Sequence, residues 1–224
     1  MKKKRDAIMH KPLSQKVYME LLNRLLTNKI VPGEILNRRD VAKELQVSVA
    51  PVLEAMVQLE HEGYLESIPR KGTRVRPIRK EDILGQLFVR EAIECQAARL
   101  YCGKPVRENE ETLKELAREC DKEASLSPKH WEDEIRFHRY LVELSGCMAL
   151  VREFEKTIRL NMFYAMNKFI EPESRTERQS HEELVDLLKT EDPDEAERII
   201  RYHVRSGKRN LYKDVPDYSS VFSG

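Results

Sequence analysis

The four cysteines of this 224-residue chain, Cys95, Cys102, Cys120 and Cys147, form no C-x-x-C pair. Isolated thiols of this kind are expected as buried or free cysteines of a reducing compartment. Long apolar runs are also missing. None approaches the ~18–20 residues that cross a bilayer, so no membrane span is expected. The basic start, MKKKRDAIMH, has no apolar core behind it and does not read as a signal peptide, so a cytoplasmic location is expected. There is no H-E-x-x-H, no nucleophile motif and no Gly-rich phosphate loop, which leaves little for an enzyme to work with. Net charge is only +1, so the whole-chain balance says nothing about nucleic acid.

What is present is unevenly placed. Hydrophobic residues make up 40% and charged residues 35%, a composition that suits a soluble, helix-rich protein. Residues 1–78 carry 15 Lys and Arg against 9 Asp and Glu, while the remainder carries 25 against 30. A basic first third and an acidic remainder fit a DNA-binding domain attached to something else.

The informative stretch is Asn37 to Gly63. Val41, Ala42 and Leu45 mark a first short helix, Gln46-Val47-Ser48 a break, and Val52, Met56 and Leu59 a second helix from about Val49 to His61. Ser48 stands where a cap belongs, and Gly63 lies just past the end. Two short helices so joined form a helix-turn-helix pattern. Tyr64–Ile68 and Thr73–Arg76 then alternate around the basic turn Pro69-Arg70-Lys71-Gly72, which reads as a hairpin wing.

Val47-Ser48, Pro51-Val52, Glu54-Ala55, Leu59, Glu62-Gly63-Tyr64-Leu65, Gly72-Thr73-Arg74-Val75 and the upstream Pro32-Gly33-Glu34-x-Leu36 resemble the GntR family of bacterial transcription regulators from Leu13 to Pro77. The resemblance implies a winged helix-turn-helix with DNA contacts at Arg38, Arg39, Ser48, Val49, Ala50, Leu53, Arg70, Lys71 and Gly72. Arg39 matches an Arg that the family places in the first helix of the motif. Val49 and Leu53 depart from it, because the family usually carries Arg at both. Arg is the commonest reader of guanine in the major groove, and each good contact is worth ~1–3 kcal/mol, so a weakened or altered operator is expected.

Lys2 to Arg5 form a basic tail within residues 1–12, suited to sequence-independent phosphate contacts or simply solvated. An amphipathic helix is expected over Leu13–Ile30, capped by Ser14, and residues 78–82 read as a linker. Helices are then expected over about Glu81–Tyr101, with Ile83, Leu87, Ala92, Ile93, Ala97 and Leu100 buried, and over Val106–Ala124, Trp131–Leu144, Met148–Lys168, Thr176–Leu188 and Asp192–Leu211. The last begins Asp192-Pro193-Asp194-Glu195, a capping-box start. No strand signal follows the junction. Arg90-Glu91-x-x-Glu94 and Ala97-Ala98-Arg99-Leu100 resemble the opening helix of the FCD ligand-sensing domain of the FadR-type branch, here spanning 83–212 before a tail over 213–224. By that resemblance Arg90 meets a carboxylate effector. The alternative is an i,i+4 pair of Arg90 with Glu94 on a solvated face.

Glu134 and His138 stand four apart on one helix face, while Asp133 lies about 140° round from His138 and is the poorer partner. His181 and His203 fall on the last two helices. A carboxylate and three imidazoles converging in a bundle would suit a divalent transition metal such as Zn or Ni. Spacing alone also allows ordinary core or surface histidines. Metal-binding FCD domains carry an acid-x-x-x-His motif with Phe before the His, then a His on each of the last two helices. Glu134-Ile135-Arg136-Phe137-His138, His181 and His203 match it, with Glu where Asp is usual, and with Cys147 where Asn commonly follows Ser-Gly. His10, His61 and His130 have no such company.

The expectation is a mainly α protein, a winged helix-turn-helix followed by a bundle of six or seven helices. Functionally it is a homodimeric, ligand-responsive DNA-binding regulator. Its operator affinity would respond to a small carboxylate bound near a metal. Two alternatives stay open: a sensor of the same fold that no longer reads specific DNA, and a metal-dependent hydrolase built on the histidines.

Overall fold

The structure, a computed structural model, describes residues 12–122, 128–166 and 179–206. The basic tail, His10, the expected breaks near 125–128 and 171–174, and the segment after Ser206 lie wholly or largely outside them. The chain divides into two compact units at Pro77/Ile78.

In the first unit, α1 (Leu13–Leu26) packs on α3 (Val49–His61), and α2 (Arg38–Glu44) packs on α3 as well. The α1 stripe of Val17, Leu21, Leu22 and Leu25 meets Val52, Ala55, Met56 and Leu59 of α3, all buried. Pro12, not Ser14, holds the N-cap position of α1, and the helix stops at Leu26, four residues short of the expected Ile30. Asn28 turns the chain there with φ +57°.

Asn37 caps α2 by accepting from the Arg39 N–H at 2.9 Å. Gln46 ends it in the left-handed region, φ +54°, while the Val47 N–H returns to the Ala42 carbonyl at 2.9 Å. That position favours glycine. Gln46→Gly is therefore expected to stabilise the domain by about 1 kcal/mol, seen as a higher thermal midpoint. Ser48 occupies the N-cap of α3 but makes no side-chain capping bond.

The wing is a three-stranded antiparallel sheet rather than a hairpin alone. Strands β1 (Ile35–Leu36), β2 (Leu65–Ile68) and β3 (Gly72–Val75) lie in the order β1-β3-β2, with Ile35 opposite Arg74 and Ile68 opposite Gly72. A two-residue strand is too short to show alternation, which hid β1.

The second unit is all helical among the described residues: α4 (Lys80–Tyr101), α5 (Lys104–Glu108), α6 (Glu110–Lys122), α7 (Pro128–Leu144), α8 (Met148–Met166), α9 (His181–Leu187) and α10 (Pro193–Arg205). Helix α4 packs on α7, α8 and α10. The helix expected over Val106–Ala124 is interrupted at Asn109, whose side chain donates to the Pro105 carbonyl and thereby ends α5. Helix α9 starts at His181, where Ser180 caps it by accepting from the Glu183 N–H at 3.1 Å; residues 176–178 of the helix expected there lie outside the described residues. At α10 the Asp192 cap accepts from Asp194, but the Asp192 N–H is taken by the Thr190 hydroxyl, so no reciprocal box forms.

Helix α4 buries Ile83, Leu87, Ile93 and Ala97 as expected but departs at other positions. Ala92 and Leu100 are exposed, while Arg90, Glu91 and Glu94 are buried with Ile83, Leu87, Ile93, Ala97, Ala98 and Tyr101. Hydrophobic periodicity discounts charged residues, and here three charged residues face the core. Paired burial makes that tolerable.

Candidate metal centre and nucleic-acid interface

Three histidines from three helices meet inside the second unit. His138 of α7, His181 of α9 and His203 of α10 each offer a ring nitrogen within 4.8 Å of the others, and all three are buried. Their ring centroids are 4.9–5.7 Å apart. Glu134, one turn before His138, is buried beside them. Its carboxylate reaches within 3.2 Å of His181 Nε2 and 3.8 Å of His138 Nε2. Asp133 turns to Arg136 instead, at 2.9 Å. The four candidate ligands are thus together, and the three imidazoles form the tighter set.

Carboxylates behind the rings fix their orientation. His138 Nδ1 lies 2.6 Å from Glu94 Oε2, and Arg90 Nε donates to Glu94 Oε1 at 2.5 Å. The relay Arg90–Glu94–His138 is buried throughout. Arg90 therefore pairs with Glu94 in the core and not on a solvated face. Asp121, from the end of α6, accepts from the His181 and Glu182 backbone N–H groups and from His181 Nδ1 at 2.8 Å. One carboxylate therefore caps the first turn of α9 and holds its imidazole. The Nδ1 atoms of His138 and His181 are tied to carboxylates, which turns their Nε2 atoms inward. His138 Nε2 and His181 Nε2 are buried and make no hydrogen bond among the described residues. Imidazoles backed by carboxylates with their other nitrogens facing inward are the usual arrangement around a bound metal. The residues present fit a divalent cation.

Helix α10, which carries His203, is tied to α4 by ion pairs. Glu91 of α4 accepts from Arg205 at 2.8 and 3.0 Å and pairs with Arg201, residues that flank His203 on α10. Farther along, Arg99 pairs with Asp194 and Glu197.

The electrostatics are those of a negative pocket. Burial works against charge on Glu94, but Arg90 and His138 outweigh it and hold the carboxyl down at about 2. Glu134 is likewise held well below its ordinary value, burial being overcome by His181 and His138. Burial lowers His138, and Glu94 does not fully offset it. His181, opposed by burial but facing Glu134 and Asp121, is pushed up to about 9. Carboxylates that stay ionised here attract a cation.

Several participants escaped the sequence reading. Asp121 carries no motif. Glu94 was visible only as a partner for Arg90. His130 is not solitary: it is buried on α7 with Nε2 3.8 Å from Glu134. Elsewhere in this unit, Asn161 on α8 is 1% exposed with both amide atoms unpaired, and Trp131 Nε1 is also buried without a partner, among the described residues. A side-chain amide that adorns an apolar helix gives no sign of this in sequence.

In the first unit, a groove of about 660 Å³ opens between the start of α2, the start of α3 and the wing turn. Arg38, Arg39, Val49, Arg70, Lys71 and Gly72 line it, and none of its lining residues is acidic. Arg38 is half-buried, with Nη2 3.5 Å from the Thr73 hydroxyl, whereas Arg39, Arg70 and Lys71 are exposed. Ser48, Ala50 and Leu53 are exposed on α3. The nine residues expected to contact DNA therefore share this unit's open side or border its groove. Gly72 has φ +120°, and a Cβ there would press on the Leu36 carbonyl at 3.2 Å, so glycine is required. Arg70 sits at φ +63°, and the Lys71 N–H returns to the Ile68 carbonyl at 3.1 Å behind Pro69, the features of a type II turn. Glycine normally takes that place. Arg70→Gly should relax the turn by about 1 kcal/mol and yet weaken DNA binding with a shallower salt dependence. Melting curves and binding isotherms at two salt concentrations check the two effects.

Comparison with known proteins agrees with this division. Residues 13–75 match the bacterial regulatory proteins of the gntR family, and residues 86–206 match the FCD domain. The chain is 22% identical over 219 residues to the HTH-type transcriptional repressor RspR of Escherichia coli K12, covering 95% of this chain and 94% of that one. It is 30% identical over 179 residues to a protein of Paenarthrobacter nicotinovorans named "Probable D-xylose utilization operon transcriptional repressor", covering 77% and 76%. Its fold is similar to that of a GntR transcriptional regulator from Rhodococcus sp. RHA1 (TM-score 0.69, 17% identity, 91% and 99% covered). It is also similar to that of E. coli McbR/YncC (TM-score 0.62, 18% identity, 91% and 99% covered). The family and these relatives are transcription regulators and not enzymes, which removes the hydrolase alternative. The chain belongs to the GntR family of bacterial transcription regulators, with a winged helix-turn-helix followed by an FCD domain.

Proposed function

We propose that this regulator binds a double-stranded DNA operator with an affinity set by a small carboxylate that docks at a divalent metal in the FCD domain. The carrying observation is the buried cluster of His138, His181 and His203, whose Nδ1 atoms on His138 and His181 are tied to Glu94 and Asp121. Those three imidazoles would hold the metal, Zn or Ni by donor type, with Glu134 as the adjoining carboxylate. The metal would supply a Lewis-acidic anchor for a carboxylate oxygen. Arg90, buried behind Glu94, adds positive charge on the same side. Asn161 and Trp131, buried with unpaired polar atoms, are suited to orienting a polar ligand.

A ligand shifts operator affinity only if it binds one arrangement of the protein more tightly than another. The two-fold operators typical of helix-turn-helix proteins imply a homodimer. Helix α4 offers a face for it: Phe88, Val89 and Leu100 are 40–51% exposed, and Ala92 and Gly85 lie on the same side. Val89→Glu should turn a dimer into a monomer at micromolar concentration, checked by sedimentation velocity. A wild-type chain already monomeric there contradicts the dimer. For the function as a whole, the test is anisotropy with the protein's own upstream DNA during titration of a panel of small carboxylates. At least one should change operator affinity severalfold. Unchanged affinity across the panel, with metal bound, contradicts carboxylate sensing.

A further inference from the structure

The recognition helix presents aliphatic groups where a reader of guanine would present guanidinium groups. Val49, Leu53 and Val57 are 43%, 39% and 40% exposed, and Ala50 is exposed beside them. At 100° per residue these four span an arc of roughly 100° on α3, next to the buried arc of Val52, Ala55, Met56 and Leu59. Between Val49 and Val57 no polar residue falls within the arc; Glu54 flanks it, and Glu60 enters it only in the last turn, where it accepts from Ser67. Cations border it: Arg38, Arg39, Arg70 and Lys71 line the groove that Val49 shares, with no acid among the lining residues. An apolar strip beside a cationic groove suits a polyanion that carries small apolar groups on its accessible face. Duplex DNA does so at one place, the thymine C5-methyl in the major groove.

We infer that α3 reads thymine methyls, with Val49, Ala50 and Leu53 packing on them while Arg38, Arg39, Arg70 and Lys71 fix the register on phosphates. The operator half-site is accordingly rich in A·T pairs where the first two turns of α3 enter, and guanine readout by this helix is absent. This rests on the DNA-binding reading above and specifies what that reading recognises. Val49 and Leu53 thus redirect base readout instead of abolishing it.

The test begins with selection of a bound site from a random duplex library by the full-length protein. Each thymine of the selected half-site is then replaced by deoxyuridine, which deletes the methyl and keeps every hydrogen-bonding group. Affinity should fall by roughly fourfold per contacted methyl, from the transfer value of one methylene-sized group. The same replacement outside the half-site should change nothing. In the Val49→Ala, Leu53→Ala double variant, where both positions keep the helix and lose the aliphatic contact, the deoxyuridine penalty should shrink toward onefold. That coupling separates contact from any effect of the methyl on duplex shape. A specific site bound equally well with thymine and deoxyuridine, or a penalty untouched by the double variant, overturns the inference and leaves sequence-specific regulation standing. A library that yields no preferred sequence overturns both, and returns the chain to a sensor that does not read DNA.

Discussion

Purified protein is expected to carry one divalent transition metal per chain, and His181→Ala is expected to carry none. The reason is geometric. Removing His181 deletes one of three converging imidazoles, while the backbone N–H bonds that tie α9 to Asp121 remain, so the site loses a ligand with the helix still held. A metal that binds only the folded chain stabilises it by about 2.7 kcal/mol at a hundredfold excess over its dissociation constant. Wild-type protein should therefore melt several degrees higher after zinc or nickel is added to chelator-treated samples. The variant should show no such shift. Glu134→Gln is a gentler probe, because the three imidazoles remain. It should weaken metal binding without abolishing it. Elemental analysis with thermal melts checks both, and equal metal content in wild type and His181→Ala would rule out the histidine centre.

The largest effect on stability is expected at Glu94. This carboxylate joins Arg90 at 2.5 Å and His138 at 2.6 Å, with all three side chains buried. Glu94→Ala leaves the Arg90 charge deprived of this partner in a dry core. Breaking a buried pair in that way typically costs about 3–5 kcal/mol, or roughly 10 °C in a chain of this size. Glu94→Gln keeps an acceptor for Arg90 and gives up the carboxylate behind His138. It should fold better than Glu94→Ala while losing about 10- to 100-fold in metal affinity, as expected when the group behind a ligating histidine is removed. Denaturant unfolding and metal titration of the two variants separate the roles. A Glu94→Ala protein as stable as wild type would mean that the buried relay does not hold the bundle together.

These expectations show where sequence was informative. The winged domain was legible because its signals are local. Gly63 with φ +88° ends α3, and the Pro69–Gly72 turn sits between two alternating runs. Strand β1 was not legible, because two residues paired to β3 carry no period of their own. In the helical domain, His138 and Glu134 were readable as neighbours on one helix, and His181 and His203 only through a family motif. Their convergence depends on how three helices pack, which no single helix encodes. Asp121 and Glu91 were illegible for the same reason. Each acts across 60 residues or more, on His181 and on Arg201 and Arg205 respectively. The buried charges of α4 misled the reading of that helix. Periodicity assigned Ala92 and Leu100 to the core and missed that Arg90, Glu91 and Glu94 occupy it.

The central claim, that occupancy of the FCD centre sets operator affinity, is tested most directly by anisotropy on the protein's upstream duplex at ~150 mM salt, where non-specific binding is weakened. Metal-loaded wild type, chelator-treated wild type and His181→Ala would be compared with and without the active carboxylate. The expected result is a carboxylate-dependent change in affinity of severalfold or more in the metal-loaded protein alone, with little change on a scrambled duplex. The same carboxylate response in all three samples would contradict the claim, because the ligand would then be acting somewhere other than the histidine centre.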